Sequence, residues 1–261
     1  MIKKLALGIV SSLALIGVSA FATTPGSDNA NNSAYSGGWT NGTDGGSPTF
    51  GGWTLSPNPN NATAGFFIGD STLLDAPGGN INTNSKAFGV FGHDTGGNAD
   101  ATRAFDSPLT AGETFSLDLA VNFRNGNKGF DLLSGTSSIF NLNIGGDTYT
   151  VNNAATGNGS LFGAAYSSNT VFHLSMTQTT LSGGSWTITR SGGLTGTASG
   201  TYTGDGSGFH LYNSMTTGGG ANEDNLFANN LAVVPEPSTV ALLAGPALLG
   251  AWFFIRRRRA S

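Results

Sequence analysis

The stretch Thr114-Phe115-Ser116-Leu117-Asp118-Leu119-Ala120-Val121-Asn122-Phe123-Arg124 decides the fold class. Phe115, Leu117, Leu119, Val121 and Phe123 fall on one side, and Ser116, Asp118, Ala120, Asn122 and Arg124 on the other. Successive side chains of a strand point to opposite faces, so this alternation describes a half-buried antiparallel strand. Moving outward, Phe140, Leu142 and Ile144 alternate with Asn141 and Asn143. The turn Gly145-Gly146-Asp147 follows, then Tyr149 and Val151, which together read as a hairpin. Phe172, Leu174 and Met176 give another strand, Trp186 and Ile188 another, and Phe209 and Leu211 a third; Phe227, Leu231 and Val233 close the series.

Outside the two termini no window carries an amphipathic helix. The expectation is an all-β fold: one antiparallel β-sandwich, jelly roll-like, of roughly twelve to fourteen strands over residues 49–233. Residues 23–48 are rich in Asn, Gly, Ser and Thr and are expected to begin as a loose polar arm. The phrase Gly37-Gly38-Trp39-Thr40 returns as Gly51-Gly52-Trp53-Thr54 and does not recur further on, which indicates a local hairpin or strand pair rather than a repeat array.

Charge separates the ends from the body. Residues 23–233 hold five basic residues, Lys86, Arg103, Arg124, Lys128 and Arg190, against fourteen acidic ones, a net of −9, while the whole chain sums to −4. A nucleic-acid binder would carry a basic patch on its folded domain, so that class of partner is excluded. The chain has no Cys, so its body relies on a packed core rather than disulfides.

Lys3 and Lys4, the apolar run Leu5 to Val18, and Ala20-Phe21-Ala22 compose a signal peptide over residues 1–22, to be cut by signal peptidase after Ala22, with cleavage after Ala20 as the alternative. At the other end stands Val234-Pro235-Glu236-Pro237-Ser238, then residues 239–255 without a charge, then Arg256, Arg257, Arg258 and Arg259. Seventeen residues make a helix of about 26 Å, within the range of a single transmembrane helix. The arginine cluster fixes the cytoplasmic side and sends the body across the membrane, the orientation that the signal peptide also predicts.

This order of Pro-Glu-Pro, hydrophobic span and Arg cluster resembles PEP-CTERM sorting domains over Val234 to Arg259. The resemblance implies an exosortase of a Gram-negative bacterium as partner, acting at Val234, Pro235, Glu236 and Pro237. It further implies a transient inner-membrane anchor, removed to leave the product at the cell surface or outside, with a structural or adhesive role linked to exopolysaccharide and biofilm. Separately, Asn225-Leu226-Phe227-Ala228-Asn229-Asn230-Leu231-Ala232-Val233 resembles the last strand of concanavalin A-like sandwiches, which implies the alternative of a carbohydrate-binding module and extracellular polysaccharide as partner.

No catalytic residue is assigned, and the chain is not expected to be an enzyme. The glucanases of that sandwich type carry E-x-D-x-E or E-x-D-x-x-E on one strand, but Glu113 and Glu223 stand in no such motif. Glu113 reads as a solvated turn residue. An Asp118–Asp131 pair has nothing to recommend it; His93, His173 and His210 are never paired at metal-ligand spacing, and His173 and His210, each on the polar face of a strand, read as ordinary surface histidines. No cofactor is expected except a structural Ca²⁺, for which Asp94, Asn98 and Asp100 supply hard oxygen ligands in a Gly-rich loop; Asn222-Glu223-Asp224-Asn225 is a second such cluster. Trp39, Trp53 and Tyr212 are the candidates for stacking on sugar rings, although Trp39 and Trp53 have a simpler place in a core or hairpin pair.

Overall fold

Strand β6 (Glu113–Val121) realises the alternation of the quoted stretch: Phe115, Leu117, Leu119 and Val121 are buried in the core and Ser116 and Asp118 face out. A computed structural model describes residues 25–57, 64–72, 79–93, 96–214 and 224–235. Before β6 come β1 (Gly26–Asp28), β2 (Thr54–Pro57), β3 (Ala64–Gly69), β4 (Ala87–Gly92) and β5 (Asn98–Ala104). After it come β7 (Asn127–Ser134), β8 (Ser137–Asn143), β9 (Tyr149–Asn152), β10 (Gly159–Leu161) and β11 (Thr170–Thr180). The last four are β12 (Gly183–Gly192), β13 (Gly196–Thr203), β14 (Gly208–Ser214) and β15 (Asn225–Pro235). The described residues thus hold fifteen strands, one more than the upper expectation.

The strands form two antiparallel sheets packed as a sandwich. The eight-stranded sheet runs β13-β12-β11-β6-β15-β4-β3, with β1 added beside β15. The seven-stranded sheet runs β10-β9-β8-β7-β14-β5-β2. The core between them is aromatic. Phe115 of β6 stacks on Phe209 of β14 with centroids 4.9 Å apart, and Phe130 of β7 stacks on Phe209 at 6.2 Å. Each fully buried Phe contributes about 1.5–3 kcal/mol of transfer free energy.

β15 binds the eight-stranded sheet together. Along one edge it pairs with β6; along the other its first half pairs with β4 and its second half with β1. Between Asn229 and Ala232 an extra residue bulges against β6, and Asn230 has φ +55°. The bulge reverses the side-chain phase. Leu226 and Ala228 enter the main core before it, and Leu231 and Val233 after it. Phe227, grouped with Leu231 and Val233 by the sequence, therefore lies on the opposite face, against Ala87, Ala120 and Val171.

Residues 23–48 need correction: from Pro25 onward they are no loose arm. β1 joins the sheet, Tyr35 and Trp39 are buried, and Trp39 meets Trp53 edge to face at 5.0 Å. The repeated Gly-Gly-Trp phrase does mark a local pairing, since Trp53 N–H donates to Thr43 C=O at 3.0 Å and Gly42 N–H to Trp53 C=O at 2.7 Å. Arg103 anchors the segment. Its guanidinium lies 4.9 Å from both the Phe50 and Trp53 rings and donates to Asp28 at 2.5 Å and Asp44 at 2.6 Å. A polar composition hides a segment held by two aromatic anchors and a buried ion pair.

The strand expected through Arg124 ends at Val121, and Phe123 emerges into solvent. Glu113 is buried rather than solvated: the turn before β6 folds its carboxylate back to accept the Thr110 N–H at 2.6 Å. Among the described residues no helix is long and apolar enough to cross a membrane. The signal peptide with Ala20 and Ala22, residues Glu236 and Pro237, the span 239–255 and Arg256–Arg259 lie outside the described residues.

Candidate functional site

The outer face of the seven-stranded sheet collects the polar alternates of five adjacent strands. β5 supplies Asp100, β14 His210 and Tyr212, β7 Asp131, β8 Ser138 and Asn141, and β9 Asn152. Each alternates with a core residue, so burial of Ala101, Leu211, Phe130, Phe140 and Val151 on the inside forces these groups outward.

His210 is the centre of the group. Its Nε2 lies 2.9 Å from Asp100 Oδ1 and its Nδ1 3.1 Å from Asp131 Oδ2. Partial burial opposes a charge on the ring, but hydrogen bonds and charges of Asp100 and Asp131 outweigh it and push the pKa up to about 9. At neutral pH His210 is an imidazolium clamped between two carboxylates. The other oxygen of Asp131 accepts from Ser138 Oγ at 2.6 Å and from Asn141 Nδ2 at 3.1 Å.

Asn141 Nδ2 also donates to the Tyr212 hydroxyl at 3.0 Å, and Asn152 Nδ2 donates to Asn141 Oδ1 at 3.2 Å. Tyr212 reaches across β7 because the residue between is Gly129. A Cβ at Gly129 would stand 2.8 Å from the Tyr212 hydroxyl and 1.9 Å from the Leu142 carbonyl oxygen. Burial holds the Tyr212 phenol protonated, with its pKa well above the ordinary value. The result is a shallow polar surface of carboxylates, amides and an imidazolium beside one half-buried aromatic ring.

Of the three sugar-stacking candidates, only Tyr212 belongs to this surface. Trp39 and Trp53 are 5% and 1% exposed in the core and can meet no ligand. Asn98 and Asp100 lie on β5, and Asp94 lies outside the described residues. The Asp100 carboxylate is engaged by His210, and among the described residues no group of three or more His, Asp or Glu is placed to hold a metal ion. Asp118 and Asp131 sit on different sheets, facing opposite sides of the sandwich, so they cannot flank one bond.

The other outer face brings together a set that sequence spacing did not reveal. Ser191 Oγ lies 2.8 Å from His173 Nε2, and His173 Nδ1 lies 2.6 Å from Asp118 Oδ1. The distances are those of a Ser-His-Asp triad. The surroundings are not: His173 is 45% exposed by its side chain, β11 is paired on both sides from Val171 to Thr177, and Asp118 also accepts from Asn230. Catalysis by such a triad needs preset donors for an oxyanion, whereas these three groups lie on a fully paired, open sheet face.

The class defined by these observations is a two-sheet antiparallel β-sandwich with an exposed, hydrogen-bonding sheet face. No family model and no curated protein matches the sequence. Among solved structures the chain is similar to the globular domain of T. cruzi calreticulin, at 9% identity and TM-score 0.40, covering 75% of this chain and 89% of that one. It is also similar to the carbohydrate recognition domain of Emp47p, at 9% identity and TM-score 0.36, covering 78% and 96%. A third is the PL-14 alginate lyase from Aplysia kurodai, at 16% identity and TM-score 0.33, covering 59% and 85%. All fall below a TM-score of 0.5, so the architecture rests on the strand pairing itself.

Proposed function

We propose that the β-sandwich is a carbohydrate-binding module whose ligand lies across the outer face of the seven-stranded sheet. The observation that carries this is the continuous network Asp100–His210–Asp131–Asn141–Tyr212 on the outer sheet face, spread over four neighbouring strands with the buried Asp131 carboxylate holding the half-buried groups around it. Carboxylates and amides bind sugar hydroxyls as paired acceptors and donors, and an aromatic ring offers a face to the apolar side of a pyranose. Held by one another, these groups lose little freedom when a ligand arrives.

Binding rather than turnover is favoured by the state of each group. His210 is protonated at neutral pH and cannot serve there as a base, and the Ser138 hydroxyl donates to a carboxylate instead of to a histidine.

We further infer that the module belongs to an exported surface or matrix protein, sorted by an exosortase and acting in adhesion or matrix structure. The Val234–Arg259 pattern supports this. A glycan array probed with the full chain tests the binding role: retention on one glycan class is expected, and retention on none would refute it. Mass spectrometry of the protein from its host tests the sorting: loss of peptides beyond the Pro-Glu-Pro motif is expected, and intact tail peptides in the surface fraction would refute it.

A further inference from the structure

We propose a second, independent binding site: the cleft between Phe123 and Tyr166 at one end of the sandwich receives a uronic acid residue of an acidic polysaccharide, with Arg124 as the receptor for its carboxylate. The cleft has a volume of about 480 Å³ and is lined by Phe123, Arg124, Asn125, Asp147 and Tyr166, among others. That volume lies within the range of small-ligand sites.

The five basic residues of the body differ in their surroundings. Of the five among the described residues, Arg103 is buried and paired with Asp28 and Asp44, Lys128 is buried beside Asp224, and Arg190 is buried against Phe162. Lys86 sits exposed on the turn before β4. Arg124 lines the cleft, and among the described residues it pairs with no carboxylate.

Arg124 is also held in place. Its Nε donates to the Gly146 carbonyl and its Nη1 to the Ala164 carbonyl at 3.2 Å. The guanidinium centre lies 4.7 Å from the Tyr149 ring centroid and 5.9 Å from that of Tyr166. Two carbonyls and two rings fix the plane of the fork, and neither carbonyl neutralises its charge. A planar, pre-oriented guanidinium suits a planar carboxylate.

The walls identify the rest of the ligand. The described residues expose four large hydrophobic side chains, and two of them, Phe123 at 44% and Tyr166 at 39%, line this one cleft. The Tyr166 hydroxyl donates to the Asn122 carbonyl at 2.6 Å, which holds its ring in position. Two such rings suit the apolar faces of a pyranose. Asp147 is exposed at the rim, where its carboxylate can accept from sugar hydroxyls but repels a densely charged polyanion. With the body at −9, diffuse attraction for anionic polymer is absent. A ligand carrying one carboxylate, several hydroxyls and an apolar ring face satisfies every wall.

The test titrates the full chain, in buffer with chelator so that no divalent cation bridges, with trimers of galacturonate, glucuronate and mannuronate and with their methyl esters. At least one acid is expected to bind, and its ester about tenfold more weakly or not at all. Arg124→Gln should lose about tenfold in affinity, and Phe123→Ala and Tyr166→Ala about threefold to tenfold, while Lys86→Gln binds as the parent does. Phe123 is exposed, so Phe123→Ala gives a folded variant even if Arg124→Gln does not. Failure of all three acids, equal binding of acid and ester, or full affinity in both Arg124→Gln and Phe123→Ala would overturn the site. The glycan of the outer face separates the two sites: its affinity should fall in Asn141→Ala and Tyr212→Ala and stay at the parent's level in Arg124→Gln and Phe123→Ala.

Discussion

Asn229 Oδ1 accepts the backbone N–H of Ala30 at 2.9 Å, across 199 positions of sequence. The same amide donates through Nδ2 to the carbonyls of Ile81 and Lys86, each at 2.8 Å. Asn229 thus sits where the partner of β15 changes from β4 to β1, and closes the seam that neither strand covers. The segment after β1, the turn before β4 and the bulge of β15 meet on one side chain.

Replacing Asn229 by Ala leaves a buried N–H and two carbonyls without that partner, and a cost of about 2–4 kcal/mol is expected. Urea unfolding measures it. A loss below about 0.5 kcal/mol, the range of an inert surface change, would contradict this role.

Trp39→Ala tests the corrected boundary of the sandwich. Removing a core ring that meets Trp53, Phe66 and Phe88 should cost about 3–5 kcal/mol. Thermal unfolding of the variant with retained glycan binding is the expected pair of results. Unchanged stability would return residues 23–48 to the status of an appendage.

Two groups give opposite pH dependences. His210 is raised from 6.5 to about 9, so its stabilisation is full below about 6.5 and is lost as pH rises through 9. Burial lowers Lys128 from 10.5 to about 7, only partly offset by Asp224, so the unfolded chain binds the extra proton between those values and stability rises with pH there. Between pH 7 and 9 the two slopes oppose each other. His210→Asn should expose a rise across that window, and Lys128→Met a fall. Stability curves against pH check both, and an NMR titration of the His210 ring should show its midpoint near 9.

Much of this was legible in the sequence and some was hidden, for definite reasons. β6, β8, β11 and β14 announce themselves because one face is buried and a period of two survives. β15 misleads because Asn229 and Asn230 carry an extra residue, which puts Phe227 outside. Tyr35 and Trp39 were obscured by polar neighbours that form turns rather than strands. The Asp100–His210–Asp131 group joins residues 110 and 79 positions apart, and no local motif encodes such distances. A signal was nevertheless present: Asp100, Asp131, Asn141, His210 and Tyr212 all occupy the polar phase of their strands.

Ser191, His173 and Asp118 invite a hydrolytic reading that their surroundings oppose. A fluorophosphonate probe is expected to label Ser191 no faster than other surface serines, and Ser191→Ala should leave background ester hydrolysis unchanged. Selective labelling of Ser191 would establish a nucleophile on this face.

The most direct measurement is calorimetric titration of the glycan best retained by the full chain into that chain and into Asn141→Ala and Tyr212→Ala. If the outer face of the seven-stranded sheet is the binding surface, both variants lose about tenfold or more in affinity, a change of about 1.4 kcal/mol, while remaining folded. Affinities equal to the parent's in both folded variants would contradict it.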